Sequence, residues 1–182
     1  MKISIIIPIL NEAATITKLL QHLIDNANNI SSIEETIIVD GGSTDDSKLV
    51  IEQFLSKHSN KIKIIDSKKG RAKQLNSGAR VAEGEILYFL HADSFPPKNY
   101  DQLIIEEVKK ENLAGCFRMK FDDNHWWLKF LGWMTKFRSK KCRGGDQSQF
   151  ITKKLFQEIN GYDESYIVYE DNDLVDRLFA IN

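Results

Sequence analysis

Apolar positions follow two different spacings over the first 97 residues. Short, nearly continuous apolar runs at 2–8, 36–39, 61–65 and 86–90 are bounded by turn-forming residues, which is typical of strands covered on both faces. After each run, apolar residues recur every three or four positions, which predicts amphipathic helices, including one over 71–82. Strands and helices in alternation are joined by right-handed crossovers. The pattern therefore predicts an α/β fold, a Rossmann-like domain with a central, mostly parallel sheet flanked by helices.

After Pro97 the pattern is less regular. A strand is predicted over 115–121, an aromatic and basic helix over 125–138, a loop over 144–147 and a last helix that begins at Glu170. The aromatic helix has two open interpretations. It either meets a membrane surface or a hydrophobic acceptor, or it packs on the sheet, as aromatic side chains usually do.

Composition narrows the class of protein. The 182 residues have the length of about one domain, and neither a repeat nor a linker divides them. A net charge of -1 and an apolar share of 42% favour neither disorder nor a general affinity for nucleic acid. Two cysteines without metal-ligand spacing indicate a reducing compartment, and no apolar stretch approaches the ~18 residues of a membrane span. We expect a cytoplasmic protein, either soluble or peripheral on the inner face of the membrane.

Polar residues stand at the carboxyl ends of predicted strands, where ligands bind in open α/β sheets. Asp40 follows the second strand and either contacts a ligand or forms the turn that starts a helix. His91 and Asp93 follow the fourth strand, and Asp93 either binds a metal or caps the next turn. Arg71 and Lys73 lie in the first turn of a predicted helix, where they either meet an anion or form a solvated face.

Five motifs occur along the chain in a fixed order. They are Pro8-Ile9-Leu10-Asn11-Glu12, Val39-Asp40-Gly41-Gly42-Ser43-Thr44-Asp45, Gly70-Arg71-Ala72-Lys73-Gln74-Leu75-Asn76, His91-Ala92-Asp93 and Glu170-Asp171. With these motifs in register, nearly the whole chain resembles family 2 glycosyltransferases, which have the GT-A fold. Together with Gly145-Asp146-Gln147, the His-Ala-Asp that replaces the common Asp-x-Asp makes the chain similar to a bacterial subgroup whose substrates are poorly defined.

The resemblance implies an inverting transfer of a sugar from a UDP or GDP sugar to an acceptor hydroxyl. Pro8, Glu12 and Asp40 would contact the base and ribose, and Arg71 and Lys73 the diphosphate. A carboxylate suits the first task because it accepts base N–H or ribose hydroxyl donors in charge-assisted hydrogen bonds. Residues 1–97 would then form the nucleotide-sugar-binding half of a single domain, and residues 98–182 the acceptor-side half.

The resemblance also implies a divalent cation. Asp93 would hold Mg²⁺ or Mn²⁺ against the donor phosphates, as hard oxygen ligands do. His91 stands where the common pattern has its first acid. Its imidazole either ligates the metal, which would favour Mn²⁺, or bonds a phosphate or a sugar hydroxyl.

A carboxylate of the Glu-Asp pair is the general base in the family. We expect Asp171 to take the proton from the acceptor hydroxyl, with Glu170 as the alternative. Both acids would also complement the dipole of the helix that they begin. Asp146 and Gln147 are expected to bind sugar hydroxyls on the acceptor side. The acceptor is unidentified, and a lipid-linked one is among the candidates.

Two other functions stay open. One is a non-catalytic module that binds a nucleotide sugar or a membrane surface. The other is a sugar nucleotidyltransferase, which would need a glycine-rich, basic loop after its first strand, where this chain has Asn11 and Glu12. The chain ends at Asn182 without the segment that usually follows in the family, so a truncation at the carboxyl terminus is a further alternative.

Overall fold

The structure, a computed structural model, describes residues 1–58, 61–118 and 147–181. Strands and helices alternate from Ile3 to Cys116, with a short 3₁₀ turn at Ile30–Ser32 before the second strand. The elements are β1 (Ile3–Ile9), α1 (Ile16–Asn26), β2 (Ile33–Asp40), α2 (Ser47–Leu55), β3 (Ile62–Asp66), α3 (Arg71–Val81), β4 (Ile86–Phe89), α4 (Tyr100–Lys109), β5 (Ala114–Cys116), β6 (Gln149–Thr152), α5 (Lys153–Glu158) and α6 (Glu170–Ile181).

The strands form one sheet in the order β3-β2-β1-β4-β6-β5. Four neighbouring strands are parallel, with Ile6 of β1 opposite both Ile37 of β2 and Phe89 of β4. Strand β6 runs antiparallel to β4, with Gln149 opposite Phe89, and β5 runs antiparallel to β6. The prediction of an α/β fold with a mostly parallel central sheet is therefore confirmed.

Helices cover both faces of the sheet because side chains of a strand point alternately to its two sides. Ile5 and Ile7 of β1 belong to an apolar cluster with α1, α2 and α4. Ile6 belongs to a second cluster with α3, α5 and α6. At Gly78 of α3, an added Cβ would lie 2.5 Å from a methyl of Ile6, so glycine lets this helix approach the sheet closely. Because β1 is buried on both sides, five of its seven residues are isoleucine.

Some elements differ from the sequence prediction, and two predicted features lie outside the described residues. Strand β6 and helix α5 were not predicted, and the strand predicted over 115–121 begins at Ala114. The aromatic helix predicted over 125–138 and the acceptor-side residue Asp146 lie outside the described residues. In the described parts of the chain, no helix is both long and apolar enough to cross a membrane.

Candidate active site

A cleft of about 540 Å³ opens between the carboxyl ends of β1 and β4. Strands β2 and β3 lie on one side of β1 and strand β4 on the other, so this is the point at which the strand order reverses. Such a switch point is where open α/β sheets bind their ligands. The cleft collects most of the residues expected to bind a nucleotide sugar: Pro8, Glu12, Arg71, Lys73, His91 and Asp93. Residues that are up to 85 positions apart in sequence therefore line a single cavity.

Hydrogen bonds hold the two loops beside this cleft together. Asn11, whose φ of 61° is in the left-handed region, donates its N–H to Ser43 Oγ at 2.9 Å. Its Oδ1 accepts the N–H of Thr44 at 2.8 Å, and the N–H of Glu12 donates to Ser47 Oγ at 2.8 Å. An asparagine tolerates this backbone region better than most residues. The loop after β1 is thus fixed to the loop after β2.

The amino end of α3 faces the cleft. Gly70, with a φ of 134° that favours glycine, leads into the helix, and no side chain caps the first turn. Gln74 anchors the helix because its buried Nε2 donates to the carbonyls of Ile9 at 2.8 Å and Val39 at 2.9 Å. Uncapped N–H groups next to Lys73 are the kind of donors that bind anions at the start of other helices.

Arg71 connects this cleft to the carboxylates that begin α6. Its Nε bonds Glu170 Oε1, and one Nη donates to Asp171 Oδ2 at 2.7 Å. Glu170 is 1% exposed and Asp171 is 3% exposed. Burial of Arg71 disfavours its charge, but the attraction of Asp171 and Glu170 outweighs burial and raises the guanidinium pKa. The predicted base and the predicted phosphate contact therefore lie side by side.

Two polar atoms in this buried region lack a partner among the described residues. One is Oε2 of Glu170, and the other is the hydroxyl of Tyr162. Burial, followed by the negative charge of Asp171, raises the pKa of Tyr162 well above its usual range, so its hydroxyl stays neutral. Buried polar atoms without partners are uncommon in folded proteins and concentrate at functional sites.

Asp40 does not line the cleft. Its fully buried carboxylate accepts the N–H of Ser43 at 3.0 Å and lies 3.3 Å from Lys48 Nζ. Burial opposes ionisation, but the bonds from Ser43 and Lys48 outweigh it and lower the pKa of Asp40. The side chain of Asp45, not that of Ser43, bonds the N–H of Ser47 at the start of α2. Asp40 orders the turn after β2 here, and its contact with a nucleoside stays a prediction.

His91 and Asp93 lie in the turn after β4, with the exposed carboxylate of Asp93 in the cleft. The hydroxyl of Ser94 makes only a long contact with Asp93 Oδ1, at 3.5 Å. Among the described residues, no three His, Cys, Asp or Glu side chains form a metal-binding group. A Mg²⁺ or Mn²⁺ ion held by one or two side chains and completed by substrate phosphates still fits this donor set.

Gln147 lies elsewhere, in a mostly apolar cleft of about 530 Å³ between α6 and the β5–β6 edge. It is buried, and its Oε1 has no partner among the described residues. Its expected contact with sugar hydroxyls stays a prediction. Sequence reasoning missed Lys69 and Glu164, which also line the donor cleft. The signal for Lys69 was available, because it directly precedes the glycine that starts α3.

A helix-covered sheet with a cleft at its switch point is the arrangement in which open α/β domains bind small ligands, at the carboxyl ends of their strands. The model of glycosyl transferase family 2 matches residues 4–172, and the chain belongs to this family. The undecaprenyl-phosphate 4-deoxy-4-formamido-L-arabinose transferase of Proteus mirabilis is 25% identical over 152 residues, which are 82% of this chain and 46% of that protein.

Solved structures with the same fold extend the comparison. S. aureus TarS, residues 1–349, superposes with a TM-score of 0.76 at 20% identity and covers 94% of this chain and 53% of its own. The mannosyltransferase PcManGT of Pyrobaculum calidifontis, in complex with GDP-Man and Mn²⁺, has a TM-score of 0.72 at 19% identity, with 94% and 50% covered. The chain spans about half the length of these proteins, and the predicted family and GT-A fold are confirmed.

Proposed function

We propose that the chain is an inverting glycosyltransferase that moves a sugar from a nucleoside diphosphate sugar to an acceptor hydroxyl. One observation carries the proposal. Arg71 lines the switch-point cleft, and the same guanidinium bonds Glu170 and Asp171, so a phosphate-binding cation and two candidate bases share one site. A sugar transfer needs both within a few ångströms, because the leaving diphosphate and the attacking hydroxyl flank the same anomeric carbon.

The donor would lie along the cleft, with its diphosphate at the amino end of α3. Arg71, Lys73 and the uncapped N–H groups would neutralise charge on the departing diphosphate. Pro8 and Glu12 would contact the base and ribose. UDP and GDP are the nucleotides to test first, since TarS has been solved with UDP and UDP-GlcNAc, and PcManGT with GDP-Man.

Asp93, with His91 beside it, would hold the divalent cation, Mn²⁺ or Mg²⁺. Such an ion supplies Lewis-acid stabilisation of the leaving diphosphate. The accessible carboxylate of Asp93 in the cleft supports this assignment. His91 contributes a second ligand or a hydrogen bond to a phosphate.

Asp171 would act as the general base, with Glu170 as the alternative. The acceptor oxygen forms a bond to the anomeric carbon while the bond to the diphosphate breaks, and the carboxylate takes the hydroxyl proton. Gln147 and Asp146 would belong to the acceptor side. This arrangement keeps the proposed division into a donor half, 1–97, and an acceptor half, 98–182.

The acceptor is proposed to be lipid-linked, in line with the undecaprenyl phosphate in the name of the Proteus relative. A cytoplasmic protein that touches the inner membrane face weakly would meet such an acceptor. The basic and aromatic stretch of the sequence at 125–143 supports this part of the proposal.

Hydrolysis of nucleotide sugars tests the proposal without knowledge of the acceptor, since water can replace it. Wild-type protein is incubated with UDP and GDP sugars in the presence of Mn²⁺, Mg²⁺ or a chelator, and the released nucleoside diphosphate is measured. We expect slow, metal-dependent release from one nucleotide class. Asp93→Ala is expected to release nucleoside diphosphate no faster with a metal than with a chelator.

The same assay separates the enzyme from a binding module. Nucleotide-sugar binding without release of diphosphate, even with each metal and with candidate lipid acceptors, would favour the module. Unchanged release by Asp93→Ala would remove that residue from the proposed metal site. Equal activity with a metal and with a chelator would exclude the divalent cation itself.

A further inference from the structure

Arg71 belongs to two places at once. Its Nε and one Nη hold Glu170 and Asp171, yet its side chain also lines the donor cleft and is 28% exposed. A guanidinium carries five N–H donors in a flat fork that matches a carboxylate or a phosphate two bonds at a time. The two carboxylates occupy the edge of the guanidinium formed by Nε and one Nη, so a diphosphate that takes this same edge must displace them.

We propose that the donor diphosphate and the Glu170–Asp171 pair compete for Arg71, so that donor binding releases the carboxylate that acts as the base. The inference rests on the proposed function and deepens it, because it assigns Arg71 the coupling of donor binding to deprotonation of the acceptor. Arg71 acts here as a positioning residue for the base as well as a phosphate contact.

The physical reason is the effect of a neighbouring cation on a carboxylate. A carboxylate that is bonded to a guanidinium is a weak base, because the positive charge favours its ionised form. When Arg71 turns to a diphosphate, two adjacent carboxylates stay in a buried place. Two ionised carboxylates that are buried next to each other are unfavourable without a cation beside them. A carboxylate that Arg71 has left takes the proton of the acceptor hydroxyl more readily. Arg71 leaves it only when a donor is bound.

Glu170 relies on Arg71 for the one side-chain bond that it makes within the described residues. Its Oε1 bonds the guanidinium, whereas its buried Oε2 has no partner among the described residues. Arg177, about two turns further along α6, is bonded to Asp173 of the same helix, with Nε 2.8 Å from Oδ2. The hydroxyl of Tyr162 is neutral and carries no compensating charge.

Other charged or titratable groups line the cleft around Arg71. They come from the loop after β1, the start of α3, the turn after β4 and the segment before α6: Glu12, Lys69, Lys73, His91, Asp93 and Glu164. Lys69 and Lys73 attract the same diphosphate as Arg71 does. Neither lysine forms a hydrogen bond or ion pair with Glu170 or Asp171, so the competition concerns Arg71.

Calorimetry with UDP and GDP tests the competition. Glu170→Gln and Asp171→Asn each remove the charge from one of the two competing carboxylates, so Arg71 is freer to bind phosphate. Both variants should bind the nucleotide more tightly than wild type, by at least about fivefold, the lower end of typical couplings between sites. This result is unusual for a catalytic residue, because removing the base would increase donor affinity while transfer is lost.

Glu164→Gln is the matched control. Glu164 lines the same cleft but bonds Asn76, with Nδ2 3.0 Å from Oε1, so its neutralisation changes the charge of the cleft without freeing Arg71. We expect less than a twofold gain from it. Arg71→Lys should weaken nucleotide binding and remove the gain from Glu170→Gln, since a lysine cannot span the same partners.

Each outcome decides the matter. Circular dichroism and thermal melts establish which variants are folded, and either single carboxylate variant suffices for the comparison. Unchanged affinity in a folded Glu170→Gln or Asp171→Asn protein, or an equal gain in Glu164→Gln, would overturn the competition and leave the proposed function standing. A wild-type protein that neither binds nor hydrolyses any nucleotide would overturn both.

Discussion

The two ends of the sheet differ in how many hydrogen bonds a buried carboxylate accepts. At the amino end, Glu35 is 2% exposed, and its Oε1 accepts from Ser4 Oγ at 2.8 Å and from the N–H of Glu83 at 2.6 Å. Its Oε2 accepts from Lys63 Nζ at 2.7 Å. At the carboxyl end, Glu170 is as deeply buried, but one of its oxygens has no partner among the described residues.

This difference separates stability from function. A buried carboxylate with every oxygen bonded holds three segments of the chain together, and the bonds offset its loss of hydration. A buried carboxylate with a free oxygen and a shared cation is less favourable for the folded state, but it can still exchange partners. The amino end of the sheet therefore holds its carboxylate through fixed bonds, and the carboxyl end is where we propose that the chemistry occurs.

The largest predicted effect is on catalysis. Asp171→Asn keeps the size and hydrogen bonding of the side chain but removes its basicity, so transfer or donor hydrolysis should fall by ~10²–10⁴-fold. The folded state and nucleotide binding should persist. Glu170→Gln is the internal control, measured by the same release of nucleoside diphosphate. If Asp171→Asn stays active while Glu170→Gln does not, the base is Glu170.

The second prediction compares stability between the two ends. Glu35→Gln removes charge from hydrogen bonds that it accepts from Lys63 and the backbone, and it should lower the free energy of unfolding by about 2 kcal/mol. Glu170→Gln should change that energy by less, because one oxygen bonds no described residue and Arg71 keeps Asp171. Urea denaturation followed by circular dichroism measures both. An equal loss at the two positions would contradict the contrast.

Acidification should destabilise the amino end of the sheet by protonating its buried, ionised carboxylates. Asp101 accepts the N–H of Asn28 at 2.7 Å and of Asn29 at 2.9 Å. Burial opposes its ionisation, but these bonds and that from Ser32 lower its pKa. A lowered pKa in the folded state gives stability above the unfolded pKa, and this stability is lost as the pH falls through the folded pKa.

Asp101→Asn should therefore reduce the acid sensitivity of unfolding. Below about pH 5, each such carboxylate contributes at most about 1.4 kcal/mol per pH unit to the slope of unfolding free energy against pH. Urea titrations between pH 3 and pH 7 compare the variant with wild type. The same slope in both proteins would show that Asp101 does not contribute.

The smallest predicted effect concerns Lys73. Lys73 lines the cleft and forms no ion pair with a described carboxylate, so Lys73→Gln should weaken nucleotide binding by only about two- to fivefold, as exposed charge contacts usually do. Stability should be unchanged. Calorimetry with the preferred nucleotide measures the affinity. A loss beyond a hundredfold would make Lys73, instead of Arg71, the main phosphate ligand.

The sequence predicted the elements whose burial pattern is simple. Strand β1 is covered on both faces and is apolar except at Ser4, so its sequence alone identifies it. Strand β6 was not predicted because it is only four residues long and starts with Gln149, a polar residue that is buried next to β4. Burial of a polar residue depends on neighbours from distant parts of the chain, which a local pattern does not contain.

The candidate site was predictable to the same degree. Motifs at strand ends identified the residues that line the cleft, because the carboxyl ends of parallel strands meet at one edge. The bonds from Arg71 to Glu170 and Asp171 span 99 and 100 positions and depend on how α6 packs, so spacing could not reveal them. The buried position of Asp40 was likewise set by Ser43 and Lys48.

Hydrogen exchange with and without nucleotide tests the central claim, that the carboxyl end of the sheet is the donor site. Saturating UDP or GDP with Mn²⁺ should slow amide exchange in segments 69–74 and 91–93, which line the cleft. Segments 33–36 and 83–86 at the amino end should exchange at unchanged rates. Protection at the amino end, with segments 69–74 and 91–93 unaffected by bound nucleotide, would contradict the account.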